Sequence, residues 1–251
     1  MKFFKGLFFL ILVLLVIAVI VLGYLGFIPG LSDLMGSTKP RDLGITYTQA
    51  DYDSAAAKNK VQIIVLDSAV DLKSSMICKG SQPIENSFTQ EEITARINMN
   101  GANWKYFPVE EVQIKINQDG TAEGSGLLLI DRLDGFAKAT GFEDVDMQKV
   151  VSKLKFVRKQ IPFYVNLKPV IKDGKADVIV NKAELGRLAL PSDFSTKYKN
   201  DINYYISKLV SASAFPGLYV SSVDFNNGKL NFKGKLPESI TTAKEIVPIT
   251  P

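Results

Sequence analysis

Side chains able to carry out chemistry are sparse in this chain, and histidine is absent from all 251 residues. That absence removes histidine metal sites, Ser-His and Cys-His dyads and histidine pH switches. Ser152-Lys-Leu-Lys155 has the S-x-x-K spacing of an acyl-enzyme serine, but no S-D-N or K-T-G element accompanies it. Carboxylates pair at Glu91/Glu92, Glu110/Glu111 and Asp131/Asp134. Acid–base work needs two carboxylates facing across a cleft. Neighbouring residues instead point apart on a strand and lie about 100° apart on a helix. Asp131 and Asp134 with nearby carbonyls are the one option for a hard cation. Gly124-Ser125-Gly126 sits in strand context with no following P-loop lysine, so it reads as room for close packing or a sheet bend. Cys78, the single cysteine, excludes an intramolecular disulfide and reads as a small apolar side chain after Met76 and Ile77. No catalytic residue, metal or cofactor is expected; the enzyme alternative is a histidine-free hydrolase.

Binding residues are better represented. Asn103-Trp104-Lys105-Tyr106-Phe107 is the densest aromatic cluster and holds the only tryptophan. It falls between a helix and a strand, where binding side chains are often displayed. Trp104, Tyr106 and Phe107, with Tyr205 from a later helix, are therefore candidate contacts for a lipid or partner, with core packing as the alternative. Lys229, Lys233 and Lys235 form a basic row on the wet face of a late strand. They are candidate contacts for an anionic ligand, or guards of a sheet edge.

The elements that must position these residues begin with Leu7 to Ile28, LFFLILVLLVIAVIVLGYLGFI, 22 residues without a charge. At about 1.5 Å per residue this reaches roughly 33 Å, a bilayer's hydrocarbon thickness. Lys2 and Lys5 precede it, so the positive-inside rule puts the N-terminus in the cytoplasm and the remainder outside. A cleaved signal peptide would be shorter and end in an A-x-A-like site, which is absent. Lys2 and Lys5 are the only charges in residues 1–30, which leaves 28 basic against 26 acidic residues beyond them. That balance argues against a nucleic-acid partner. The expected division is a stub and anchor at 1–30, a juxtamembrane linker at 31–47, an extracytoplasmic α+β domain at 48–237 and a flexible tail at 238–251.

Within the domain, capping-box spacing at Thr48-Gln-Ala-Asp51 and Thr89-Gln-Glu-Glu92 predicts helices over 49–58 and 89–98. Strict alternation around Val112–Ile116, Phe163–Leu167 and Leu230–Phe232 predicts antiparallel strands beside the turns Asp119-Gly120, Asp173-Gly174 and Asn227-Gly228. Gly120, Gly174 and Gly228 lie 54 residues apart, and Pro108, Pro162 and Pro216 each precede their glycine by 12. With helical stretches at 89–98, 147–158 and 193–210, this spacing predicts three αββ units around a curved sheet, with a degenerate copy at 49–79. Phe194, Tyr198, Ile202, Tyr205, Ile206 and Leu209 make an apolar stripe that should lie across the sheet.

An N-terminal anchor, a helix-plus-antiparallel-sheet domain and the ending Leu218-Tyr-Val through Asn227-Gly-Lys-Leu-Asn-Phe-Lys-Gly-Lys-Leu-Pro237 resemble bacterial envelope proteins of the YpmS-like and LmeA-like kind, the latter related to tubular lipid-binding domains. The resemblance covers the final third of the chain and implies a helix cradled by a curved sheet and an apolar ligand. The expectation is a membrane-anchored extracytoplasmic binding protein for a lipid or amphipathic envelope component. The alternative is an assembly module that docks another membrane protein.

Overall fold

The structure is a computed structural model that describes residues 2–26, 28, 30–142, 159–191 and 193–247. Helix α1 (Lys2–Tyr24) is followed by the single turn α2 (Leu31–Leu34) and by α3 (Gln49–Asn59). Strands β1 (Gln62–Leu66), β2 (Met76–Lys79) and β3 (Gln82–Thr89) lead to α4 (Gln90–Gly101). The hairpin β4 (Val109–Ile116) and β5 (Ala122–Leu129) precedes α5 (Leu133–Ala139). Then come β6 (Gln160–Lys172), β7 (Lys175–Leu185), β8 (Leu188–Ala189), α6 (Phe194–Lys197) and α7 (Lys199–Leu209). Strands β9 (Tyr219–Asn226), β10 (Lys229–Leu236) and β11 (Ser239–Ala243) complete the order.

The α+β class expected from the pattern is what the chain adopts. Eight strands form one curled sheet in the order β3-β10-β9-β6-β5-β4, with β7 joined to the other side of β6 and β8 to β7. The hairpins β4–β5, β6–β7 and β9–β10 are all antiparallel, as the alternation requires. Asp173 and Gly174 have φ of 50° and 71°, and Asn227 and Gly228 have 53° and 70°, the doubly positive geometry that suits a two-residue hairpin. At the first turn only Gly120 is positive, because Asn117 and Thr121 close a longer loop around it. Helices α4 and α7 precede the outer two hairpins, while the helix expected at 147–158 and Ser152/Lys155 lie outside the described residues. Pro162 does not begin its strand, where a proline's missing N–H would cost least. It sits inside β6, opposite Leu127, and its carbonyl accepts from the Gly186 N–H.

Three expectations fail. The segment 49–79 is no fourth αββ unit: β1 pairs with β11 in parallel and β2 pairs with β11 antiparallel, giving a separate three-stranded sheet. The supposed tail at 238–251 supplies that sheet's central strand, with Ala243 fully buried, and its β-branched run Ile-Thr-Thr suits an extended conformation. The 193–210 helix is broken at Tyr198 into α6 and α7, and α7 runs along β7 instead of across the sheet.

The core lies on one face of the curled sheet. Ile171, Ala176, Val178, Val220 and Val223 form its largest buried cluster, with Ile206 and Val210 packed against it. Ala137, Phe142 and Ala214 form another under Leu209 and Phe215.

The β4 and β7 edges of the sheet are closed by helix side chains. Gln90, Thr94 and Asn98 on α4 accept from the N–H groups of Ile116, Ile114 and Val112 at 3.1, 3.1 and 2.9 Å. Four helical residues rise about 6 Å and two strand residues about 6.6 Å, so an i, i+4 series keeps step with alternate strand N–H groups. On the other side Asn203 and Ser207 of α7 accept from Val178 and Ala176 at 2.9 and 2.8 Å.

The described side chains of α1 run from Val13 to Tyr24, and among the described residues no helix is long and apolar enough to cross a membrane.

Candidate functional site

Residues 31–47 were expected to be a linker; they are instead laid over the sheet face opposite the core. Ser32 and Ser37 are buried, and the Leu43 and Ile45 N–H groups donate to Gln113 Oε1 on β4 at 2.7 and 3.3 Å. The fastening point is Arg41. Its guanidinium forks onto Glu184 of β7, with Nε to Oε2 at 3.0 Å and Nη2 to Oε1 at 2.8 Å. It also stacks 4.6 Å above the Tyr164 ring.

Glu184 is only 4% exposed and also meets Lys182 at 3.0 Å. Burial pushes its carboxyl pKa up, but the hydrogen bonds from Lys182 and Arg41 outweigh that and hold it below the ordinary value. Tyr164 donates to Glu123 Oε2 at 2.8 Å, and burial together with that carboxylate raises the phenol pKa. Such a forked, stacked arginine on a buried carboxylate is a geometry lysine could not reproduce. Beside it a cavity of about 380 Å³ is lined by Pro40, Tyr47, Asn98, Glu111 and Gln113. Glu111 has φ of 51° within a register shift of β4.

The second candidate surface is aromatic. Tyr204 and Tyr205 sit edge to face at 5.3 Å, Tyr205 lies 6.2 Å from Phe142, and Phe194 lies 4.9 Å from Tyr198. Tyr198, Tyr204 and Tyr205 are all exposed, and α7 has no buried residue. Lys208 lies 4.8 Å over the Phe142 ring and Lys197 5.4 Å over the Tyr198 ring.

A third feature is an open cavity of about 640 Å³ between two hairpin turns and the start of α4, lined by Gln90, Glu91, Gln118, Asn227 and Lys229. Its walls are mostly polar, with Ile116 among them.

Of the residues singled out by sequence, Tyr205 is placed on the aromatic surface and Lys229 on the polar cavity. Trp104 is 5% exposed, packs against Phe107 and Phe136, and donates from Nε1 to Ser75 Oγ at 3.3 Å. Tyr106 fills the space over Gly135 and Phe107 the space over Gly101. The three rings therefore pack within the fold, Trp104 buried and Tyr106 and Phe107 half-buried. Lys233 pairs with Glu85 at 2.9 Å, and β10 lies between β3 and β9, so its lysines guard no edge.

Each described carboxylate pair has a structural partner. Glu92 completes the α4 capping box and meets Lys58 at 2.6 Å. Glu110 meets Arg132 and Asp134 meets Lys138, both at 2.8 Å. Ser125 in β5 is fully buried, and a Cβ on Gly126 would meet the Glu110 carbonyl and the Phe163 ring at 3.0 Å, so close packing explains the small residues. Burial raises the Cys78 pKa to about 11, which leaves it an inert thiol. Among the described residues no group of three or more acids and cysteines could hold a metal.

Sequence reasoning missed Arg41, Glu184 and Tyr164. The partners are 143 residues apart along the chain, and only a basic residue beside a proline in an otherwise plain linker marked the spot. No protein-family model, no curated protein and no solved structure matches the chain.

Proposed function

We propose that this chain is a single-pass protein of the cytoplasmic membrane, with its N-terminus inside, whose C-terminal domain serves outside the cytoplasm as a binding module. Helix α1 has 23 residues, which at about 1.5 Å each extends roughly 35 Å. Its apolar side chains from Val13 to Leu22 are exposed, Leu14 and Leu15 more than half, and would need lipid around them. The described side chains begin at Val13, and the sequence from Leu7 adds the rest of the uncharged apolar run.

The observation that carries the binding role is the aromatic surface on α7. Tyrosines held by neighbouring rings offer large contact area at small entropic cost, and tyrosine is enriched at protein interfaces. Docking of another membrane or envelope protein fits best, because the aromatic surface is presented outward and the cavities described above are open, with polar groups prominent in their walls. A lipid or amphipathic ligand keeps one supporting feature, the lysines Lys197 and Lys208 over aromatic rings, where an anionic headgroup could sit.

The test uses the full chain in cells that make it, with a photo-crosslinking phenylalanine at Tyr204 and, as control, at the exposed Val170. A discrete protein adduct at Tyr204 alone supports docking. An adduct of lipid mass supports the other ligand class. Absence of any adduct at Tyr204, and again at Tyr198, would sink both. Alkaline extraction of the same membranes tests the anchor, since the chain should stay in the pellet.

A further inference from the structure

The end of α1 is not free to swivel against the domain. The Gly186 backbone at the β7–β8 turn lies so near that an added Cβ would be 2.8 Å from the Leu25 carbonyl. Arg187 donates from Nη2 to the carbonyls of Gly36 and Lys39 at 3.3 and 3.5 Å. Leu188 lies two residues beyond Gly186, so the β7–β8 turn that meets the end of α1 also carries it.

That junction exposes apolar side chains that have no need to be there for folding. Leu34 is 84% exposed, the highest value among the large exposed hydrophobics, and Met35 and Leu188 are exposed as well. The acid in the same turn is an exposed cap, since Asp33 Oδ2 accepts from the Gly30 N–H at 3.3 Å. Tyr24, at the end of α1, is 54% exposed, and tyrosine is enriched where a helix leaves the hydrocarbon. Lys39 and Arg187 flank the patch with positive charge, which suits anionic headgroups.

We propose that Leu34, Met35 and Leu188 form a second contact with the membrane, inserting into the headgroup–acyl boundary of the outer leaflet and seating the domain at one fixed tilt. The contact rests on α1 being the anchor, and its occupant is the bilayer immediately around that helix. Apolar tips of this kind enter the interface by about 5–10 Å. The Arg41–Glu184 fork and the Arg187 bonds then act as the brackets that transmit the seating to the sheet.

The experiment uses the full chain reconstituted in vesicles of phosphatidylcholine and phosphatidylglycerol, with or without lipids brominated high on the acyl chain. Leu34→Trp and Leu188→Trp are compared with Val170→Trp, at the far end of the β6–β7 hairpin, and the emission of the parent chain, which comes from buried Trp104, is subtracted. Bromine should cause a roughly two-fold loss of the added emission at positions 34 and 188 and none at 170. Chains that float with the vesicles but show equal, unquenched emission at all three positions would overturn the seating while leaving the anchor intact. Chains that do not float would overturn the anchor, and the seating with it.

Discussion

Helices α4 and α7 perform the same task at opposite sides of the sheet, yet only one of them is consumed by it. On α4, three polar side chains satisfy three N–H groups of β4, and Asn98 also donates from Nδ2 to the Val112 carbonyl at 2.8 Å. Its other faces are occupied too: Glu92, Thr94 and Ala95 are buried, and α3 contributes Lys58 and Ser54 to Glu92. On α7 two rungs suffice, its N-cap Tyr198 makes no capping hydrogen bond, and its tyrosines face outward. An edge helix needs one polar line and one apolar line. The remainder of its surface is available, and α7 spends that remainder on aromatic rings.

The sharpest way to break this comparison is Asn98→Ala. It strands both the N–H and the carbonyl of Val112, which is 4% exposed, and should cost about 2–3 kcal/mol. Urea unfolding of the full chain in detergent micelles measures it. Thr94→Val keeps the shape at a fully buried position but leaves the Ile114 N–H without an acceptor, for about 2 kcal/mol. If either variant unfolds at the parent's urea midpoint, the ladder on α4 is not what closes that edge.

Acid should separate the two edges as well. Burial raises the Glu92 pKa, but hydrogen bonds from Lys58, Ser54 and the Thr89 N–H bring it below the ordinary value. A lowered folded pKa stabilises the fold above the unfolded carboxylate range, near pH 4, and that stability is lost as pH falls through the folded value. Glu184 titrates in the same direction. The unfolding midpoint should therefore hold between pH 7 and 5 and fall below about 4, with a shallower fall in Glu92→Gln. At the other edge the hydrogen bond and charge of Lys199 lower the pKa of Asp177, but the pair is exposed, so its contribution should vanish in about 1 M salt. A fall in stability that salt abolishes entirely would count against a buried origin.

How far this division could be read from the chain depends on distance along it. The hairpins at Asp173-Gly174 and Asn227-Gly228 and the caps at Thr48 and Thr89 are local, since residues a few positions apart decide them, and they stand as read. The period of four in Gln90, Thr94 and Asn98 was also visible, but nothing local says that those side chains face a strand's N–H groups instead of water. Strand β11 reads as a tail because a short run with threonines gains its order from β1 and β2, some 160 to 180 residues earlier. For the candidate site, Tyr205 was legible from the helical stripe. Arg41 was not, because an arginine reads alike whether it meets solvent or a buried glutamate.

Asn203→Ala should produce a smaller change than Asn98→Ala, about 1–2 kcal/mol. Asn203 accepts from the N–H of Val178, a buried residue, and donates to the exposed Asp177, so its loss strands one backbone group on β7 where the loss of Asn98 strands two on β4. The smallest stability effect of all is expected from Tyr204→Ser. Tyr204 is 55% exposed and touches the fold through the edge of Tyr205, so removing it leaves no cavity and no unpaired polar group. Its urea midpoint should match the parent's within error, while photo-crosslinking from Tyr198 should drop severalfold if the tyrosines form one docking surface, since central aromatic residues dominate such interfaces. A variant that binds unchanged would show that α7 closes an edge and nothing more. One that unfolds early would show that the ring is part of the core, and the contrast between the two helices would then be one of degree.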